Sequence, residues 1–217
     1  MKDVYVVAGG PSLKGFDFSK LEGEDKTCIA VNHSFLFCKP DYICWMDDDF
    51  YKQYPGKLED TGATLVYRPQ EKLSPKPDKN KTKVFTVEEF IRDYNMPYDT
   101  FAFSGTLGIY MALCLQTLKK YNNIYLLGMD GNTTEKFEDL HFHRQHYKDN
   151  MFDPNYLENE FPYNRIVMQQ RNAMTSFWKF LQREQSKYKY NLNKVYNLNL
   201  ETGYKEHNKL NPNKVFL

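Results

Sequence analysis

The first twelve residues constrain the fold of this chain more than any other stretch. Val4 to Ala8 is a continuous apolar run, and Gly9, Gly10, Pro11 and Ser12 follow it directly. A short β-branched run bounded by glycine predicts a strand buried on both faces, as in a parallel sheet. The two glycines let the backbone turn tightly and approach a ligand, and the serine can cap a helix.

A strand that ends in a glycine turn and then opens a helix is where open α/β sheets hold phosphates or nucleotides. The spacing is not that of the dinucleotide fingerprint G-x-G-x-x-G, and no Gly-Lys-Ser/Thr of a Walker loop follows. Both of those classes are therefore disfavoured. A tight turn without a ligand stays open as an alternative.

Later stretches repeat the pattern of an apolar run followed by polar residues. Asn32 and Asp130 each come shortly after such a run, and Asp47 follows another. Because the carboxyl ends of parallel strands line one edge of a sheet, these side chains are expected to share a crevice. The predicted fold is α/β, a Rossmann-like, mostly parallel sheet flanked by helices. The further strands predicted are Thr27 to Val31, Tyr42 to Met46, Thr64 to Tyr67, Ile124 to Leu127 and Lys194 to Leu198.

Two long helices are predicted from residues that recur at three- and four-residue steps. Ser104 and Gly105 open the first, where free backbone N–H groups favour an anion, although a simple helix cap stays open. It is expected to be amphipathic, with Leu107, Tyr110, Met111, Cys114 and Leu118 on its apolar face. The second runs from Asn164 to Lys187, with Val167, Met174, Phe177, Trp178 and Leu181 on one face.

Residues 131–163 have no clear periodicity and form too long a stretch for an ordinary connection, so a lid on a single domain spanning 1–217 is expected. This segment carries His141, His143 and His146, with Arg144 among them. A histidine can deprotonate an acceptor hydroxyl, and an arginine can neutralise a phosphate. A zinc site and an ordinary surface loop remain alternatives.

The cluster Asp47-Asp48-Asp49 has three open interpretations. Asp47 and Asp48 could hold a divalent metal that accompanies a nucleotide diphosphate. Alternatively, the carboxylates bond a ribose or base directly, or they form a solvated loop.

Composition narrows the class of protein further. Hydrophobic residues make up 41% and charged residues 26%, which excludes wholesale disorder, and the net charge of +1 gives no general attraction to nucleic acid or membranes. Cys28, Cys44 and Cys114 lie in apolar runs and are expected to be buried free thiols. The chain shows no signal peptide or membrane-length apolar run, so a cytoplasmic location is expected.

The ordered set of motifs resembles the bacterial sialyltransferases of glycosyltransferase family 42. The residues that carry the resemblance are Gly10-Pro11-Ser12-Leu13, Asn32, Ser104-Gly105 and Ile124 to Asp130. The set also resembles the wider superfamily of motility-associated glycosyltransferases and archaeal 6-hydroxymethylpterin diphosphokinases. His141 to His146 is similar to a His-aromatic-His-x-x-His stretch in uncharacterised phage and bacterial members.

The resemblance implies a nucleotide-sugar pocket under a lid. Carried over by position, the donor-binding residues are Gly9, Gly10, Pro11, Ser12, Asn32, Asp47, Ser104, Gly105 and Asp130. Gly9 stands where the sialyltransferases have asparagine, and Pro162-Tyr163-Asn164 occupies the place of their catalytic histidine. The tyrosines that help their leaving phosphate have no counterpart in residues 131–137.

The sequence therefore predicts a glycosyltransferase that moves a sugar from a nucleotide-activated donor to a hydroxyl of a glycan, a small molecule or a modified DNA base. His143 or His141 is the expected base, and Arg144 or a metal at Asp47 and Asp48 offsets charge on the leaving phosphate. The resemblance does not require the metal. A pyrophosphokinase that uses ATP and Mg²⁺, a nucleotide-binding module without turnover, and a homo-oligomer stay open.

Overall fold

The computed structural model describes residues 1–54, 56–69, 76–93, 103–132 and 163–216, with the backbone alone for residues 48, 49, 93 and 163–166. These residues form one eight-stranded sheet in the order β5-β4-β3-β2-β1-β6-β7-β8. Every strand pair in it is parallel. The strands are β1 Asp3–Val7, β2 Lys26–Val31, β3 Tyr42–Trp45, β4 Thr64–Tyr67, β5 Val84–Thr86, β6 Ile124–Leu127, β7 Val195–Asn197 and β8 Asn208–Lys209.

Four α-helices accompany the sheet in the described residues. They are α1 Asp48–Gln53, α2 Val87–Asp93, α3 Ser104–Lys119 and α4 Tyr163–Tyr188. Short 3₁₀ helices, including Pro11–Leu13, Phe18–Leu21 and Asn32–Leu36, make most of the remaining connections. No helix among the described residues has both the length and the apolar character needed to cross a membrane.

Strand β1 alternates its side chains between two buried layers, as the apolar run predicted. Val4 and Val6 face a core built with α2, α3 and α4, whereas Tyr5 and Val7 face a core on the opposite side of the sheet. Successive side chains of a strand point to opposite faces, so a continuous apolar run fits a sheet covered on both sides. The predicted α/β fold with a parallel sheet is confirmed.

The prediction that α3 is amphipathic is wrong. Every residue from Ser104 to Gln116 is buried, and Leu118, assigned to the apolar face, is 54% exposed. The helix packs on β1, β2 and β3, and α4 packs against it with Phe177 close to Tyr110. Because it is covered on more than one side, α3 needs apolar residues around its whole circumference.

The strand order reverses beside β1. The chain builds β2 to β5 outward on one side of β1 and then returns through α3 to place β6 on the other side. This arrangement makes the gap between the carboxyl ends of β1 and β6 a topological switch point, the position at which open α/β sheets bind ligands.

Candidate functional site

The turns that follow β1 and β6 meet at the switch point. The Gly10 amide donates a 2.8 Å hydrogen bond to the Gly128 carbonyl, which ties the glycine turn to the end of β6. A Cβ on Gly10 would meet that carbonyl and would lie 2.5 Å from Oδ2 of Asp130. Gly128 itself has a φ of +65°, a conformation that favours glycine. Glycine is therefore required on both sides of this contact.

The carboxylate of Asp130 holds the glycine turn in place. Its Oδ2 accepts the Ser12 backbone N–H at 2.7 Å, and its Oδ1 accepts the Ser12 hydroxyl at 2.6 Å. Oδ1 also accepts the side-chain amide of Asn199 at 2.9 Å, and Asp130 is only 5% exposed. The structure thus brings together Gly10, Ser12 and Asp130, three of the residues predicted to bind the donor.

A C-terminal loop, residues 197–207, supports the turn after β6 from the other side. The Gly203 amide donates to the Asp130 carbonyl at 2.7 Å, and Thr202 Oγ1 lies 2.9 Å from the Met129 and Asp130 carbonyls. Sequence reasoning missed this loop because its polar composition has no periodicity. The available signal was the pair Asn197 and Asn199, which flank the last residue of the strand predicted at Lys194 to Leu198.

Asn197 and His207 lie buried at the two ends of this C-terminal loop and contact each other. The side-chain amide of Asn197 donates to the Met129 carbonyl at 2.7 Å and to Nδ1 of His207 at 3.0 Å. Burial against Trp178 and Tyr204 favours the neutral imidazole and lowers the pKa of His207 to about 3. This histidine is therefore a structural acceptor at neutral pH.

The start of α3 lies beside the turn after β6. An added Cβ on Gly105 would be 3.2 Å from Cε of Met129, next to Asp130, and Ser104 approaches Cys44 at the end of β3. Among the described residues, the backbone N–H groups of Ser104 and Gly105 have no hydrogen-bond acceptor. Helix starts with free N–H groups favour anions.

Asn32 directly follows β2 and is unusual in both its backbone conformation and its side-chain hydrogen bonding. Its φ is +52°, in the left-handed region, which asparagine enters more readily than most L-residues but less readily than glycine. Its Oδ1 is buried and accepts no hydrogen bond from the described part of the chain. A buried polar atom of this kind calls for an explanation, and a bound ligand is one such explanation.

Asp47 lies exposed between β3 and α1, at the same edge of the sheet. The side chain of Asp48 is outside the described residues. Within the described part of the chain, no group of three or more His, Cys, Asp or Glu is placed to hold a metal ion. The proposed metal site at Asp47 and Asp48 stays a prediction.

The predicted catalytic group lies outside the described residues. His141, His143, Arg144 and His146 all belong to this set, as does most of the predicted lid. Their roles therefore stay predictions. Gly9, Pro11 and Ser12 lie in the turn after β1, so the predicted donor-binding residues follow β1, β2, β3 and β6 or open α3.

Solved bacterial sialyltransferases have a similar fold. The monofunctional α-2,3-sialyltransferase Cst-I from Campylobacter jejuni matches with a TM-score of 0.53 and 16% identity, over 96% of this chain and 79% of that chain. CstII from C. jejuni in complex with cytidine-5'-monophosphate matches with a TM-score of 0.50 and 18% identity, over 98% and 86%. CST-II in complex with a trisaccharide acceptor and CMP matches with a TM-score of 0.50 and 16% identity, over 95% and 85%.

No protein-family model matches the sequence, and a search of curated proteins finds no match. The structural likeness, at 16–18% identity, is one of fold. The resemblance seen in the sequence motifs is thus confirmed for the architecture: this chain has the fold of the bacterial sialyltransferases.

Proposed function

We propose that this protein is a glycosyltransferase that moves a sugar from a nucleotide-activated donor to a hydroxyl acceptor. The observation that carries the proposal is the glycine turn at the switch point. Gly10 and Ser12 follow β1 and are bonded to the turn after β6, at the edge where parallel sheets bind nucleotides. The carboxylate of Asp130 holds this turn through its two hydrogen bonds from Ser12, so the turn is preorganised before any ligand binds.

Three groups around the glycine turn suit a nucleotide. The N–H groups of Ser104 and Gly105, which have no acceptor among the described residues, favour a phosphate or a polarised base oxygen. The Oδ1 of Asn32 is an acceptor without a donor among the described residues, and a ribose or sugar hydroxyl supplies a donor. The exposed carboxylate of Asp47 is a further acceptor at this edge.

The proteins of similar fold support the choice of donor and acceptor. CstII and CST-II were solved with CMP, and CST-II also with a trisaccharide acceptor. We therefore assign a nucleotide sugar as donor. The acceptor hydroxyl belongs to a glycan, a small molecule or a modified DNA base.

The proposed transfer forms one bond and breaks one. The acceptor oxygen attacks the anomeric carbon, the bond from that carbon to the phosphate oxygen breaks, and the phosphate leaves with the electron pair. His143 or His141 takes the hydroxyl proton, and Arg144 offsets the negative charge of the leaving phosphate. These roles follow from the sequence motif and are tested by His141→Ala and His143→Ala, of which at least one should abolish turnover.

The first experiment is a thermal-shift panel of CMP, UDP, GDP, ADP, ATP and their sugar conjugates, with and without Mg²⁺ and Mn²⁺. A ligand present at 100 times its Kd adds about 2.7 kcal/mol to the free energy of unfolding. For a chain of this size that corresponds to about 5–10 °C in Tm. Stabilisation by one class of sugar nucleotide, followed by transfer of its sugar to a hydroxyl, is the expected result.

Two serine variants make the assay specific to the glycine turn. The N–H and hydroxyl of Ser12 both bond Asp130, and those of Ser19 bond the exposed Asp17 in the same way, at 3.1 and 2.7 Å. Ser12→Ala should reduce the shift caused by the sugar nucleotide, whereas Ser19→Ala should leave it unchanged.

A response to ATP and Mg²⁺ alone, with release of AMP, would instead identify a pyrophosphokinase. Binding without turnover would identify a nucleotide-binding module.

A further inference from the structure

Arg171 reaches the candidate site from α4. Its Nε donates a 2.5 Å hydrogen bond to the carbonyl of Gly131, the residue directly after Asp130. Burial raises the pKa of the nearby Tyr204, the charge of Asp130 adds to that rise, and Arg171 opposes it. Asp130 and Arg171 therefore lie in one electrostatic neighbourhood, at the turn where the predicted lid begins.

The surroundings of Arg171 hold its guanidinium in one place. A Cβ on Gly203 would lie 2.5 Å from Nη2 and 2.8 Å from Nε, so the group is seated directly on the C-terminal loop. Tyr204 of the same loop packs against Gly131, where an added Cβ would meet the ring at 2.7 Å. The arginine is wedged between the turn after β6 and the C-terminal loop.

Most N–H donors of this guanidinium have no acceptor in the described part of the chain. An arginine carries five N–H donors, and in Arg171 only Nε has an oxygen acceptor among the described residues, while Nη1 lies 3.7 Å from Sδ of Met168. No Asp or Glu in the described part of the chain is within ion-pair distance of it. Arg183 on the same helix is different, because its side chain is 72% exposed and its Nε lies 2.8 Å from Oε1 of Glu184.

We propose that Arg171 binds an oxyanion of the donor, namely the phosphate that becomes the leaving group; this inference rests on the proposed function. A half-buried, fixed guanidinium without a counter-ion among the described residues matches a phosphate, which it can bond through two parallel N–H groups. When the bond between the anomeric carbon and the phosphate oxygen breaks, the electron pair stays on the phosphate. Arg171 then offsets that charge together with Arg144, whose proposed role follows from the sequence motif.

A carboxylate on the transferred sugar would be recognised by the same guanidinium chemistry. Ligand pairs that differ in one group distinguish these two sources of the anion. CMP against cytidine isolates the phosphate, and inorganic pyrophosphate tests the phosphate without any base or sugar. Free N-acetylneuraminate, a sugar carboxylate without phosphate, tests the other source.

The experiment measures binding of these four probes by calorimetry to the wild type and to Arg171→Gln, Arg171→Lys and Arg183→Gln. Loss of a charge-assisted hydrogen bond corresponds to roughly 10- to 100-fold in affinity. Arg171→Gln should weaken pyrophosphate and CMP by that factor and leave cytidine within about twofold, a difference that a merely structural role would not produce. Arg171→Lys should recover part of the loss, and Arg183→Gln should bind all probes like the wild type.

Several outcomes would overturn the assignment. The first two are an Arg171→Gln variant that binds pyrophosphate as tightly as the wild type does, and one that loses affinity for CMP and cytidine equally. The other two are a wild type that does not bind pyrophosphate, and binding that depends on Arg171 for N-acetylneuraminate but for none of the other probes. If Arg171→Gln does not fold, Gly203→Ala provides a second test, because its Cβ would meet both the Gly131 carbonyl and the guanidinium and so shift both partners of the Nε hydrogen bond without removing the charge. It should weaken pyrophosphate binding in the same way. Wild-type binding by a folded Gly203→Ala would then overturn the assignment.

The same data separate this inference from the proposed function. A sugar nucleotide that stabilises the wild type and Arg171→Gln equally would refute the role of Arg171 and leave the glycosyltransferase standing. Pyrophosphate binding that depends on Arg171, without a response to any sugar nucleotide, would retain the anion site and refute the transferase.

Discussion

Replacing Asn32 with glycine should make the free protein more stable and its candidate site less able to bind. The residue holds a φ of +52° and buries an Oδ1 that has no hydrogen-bond donor among the described residues. Both features raise the free energy of the folded state, and glycine removes both. A site residue that reduces stability in the absence of ligand is typical of a group kept for binding.

The structure sets the size of the effect of Asn32→Gly. Removing the Cβ from a residue in the left-handed conformation raises the free energy of unfolding by about 1 kcal/mol. Removing a buried polar atom that has no hydrogen bond raises it by a further amount of about 1–3 kcal/mol. The greater chain entropy of glycine in the unfolded state opposes these gains by about 0.5–1 kcal/mol. The net expectation is a stabilisation of about 2 kcal/mol, or about 4–8 °C in Tm for a chain of this length.

Lys120 provides the matched control for this prediction. It has a φ of +54° at the end of α3 and is exposed, so Lys120→Gly removes the backbone strain without touching a buried amide. Urea unfolding of both variants should show a clearly larger gain for Asn32→Gly, and only that variant should lose the thermal shift from the sugar nucleotide. Equal gains in the two variants, or a loss of stability in Asn32→Gly, would refute the reasoning.

Three further predictions address other parts of the molecule. In the unfolded state His207 is protonated below about pH 6.5, whereas burial keeps it neutral in the folded state down to about pH 3. Its contribution to the free energy of unfolding is therefore fully present above about pH 6.5 and falls by about 1.4 kcal/mol per pH unit below that value. His207→Asn, which retains an acceptor near the position of Nδ1, should flatten that slope in urea titrations at pH 4.5 and 6.5. Cys38 is the one partly exposed cysteine, so a maleimide added to the native protein should label it first. Peptide mass spectrometry identifies the labelled residue, and simultaneous labelling of the three buried thiols would contradict the packing. Gly10→Ala should lower the free energy of unfolding by about 1–3 kcal/mol, because its Cβ meets the carboxylate of Asp130, and unchanged urea unfolding would refute that contact.

Much of the sheet could be predicted because its signals are local. The strand predicted at Thr64 to Tyr67 is observed with the same limits, and β1 is displaced by one residue from the predicted run. The three cysteines expected to be buried are buried and free. A buried strand between turn residues needs only its own residues to be recognised.

The errors have a different origin. Apolar residues of α3 happen to recur at helical steps, but burial around the whole helix depends on neighbours that periodicity does not reveal. Strand β8 gives no sequence signal, because its two residues, Asn208 and Lys209, are both polar and too few to show an alternation. Arg171 lies outside the predicted apolar face of its helix, and only its contact with Gly131, 40 residues away in the chain, marks it.

The C-terminal loop has a consequence for the order in which the protein matures. A ribosome delivers β1, α3 and β6 well before residues 197–207 emerge, and domains acquire structure as they are synthesised. Until Asn199 arrives, Asp130 lacks its third hydrogen bond, and the guanidinium of Arg171 lacks the backbone of Gly203 on which it rests. The nascent chain can thus form β1 to β6 before its binding crevice is complete, because the contacts that hold the crevice form only once residues 197–207 have been synthesised.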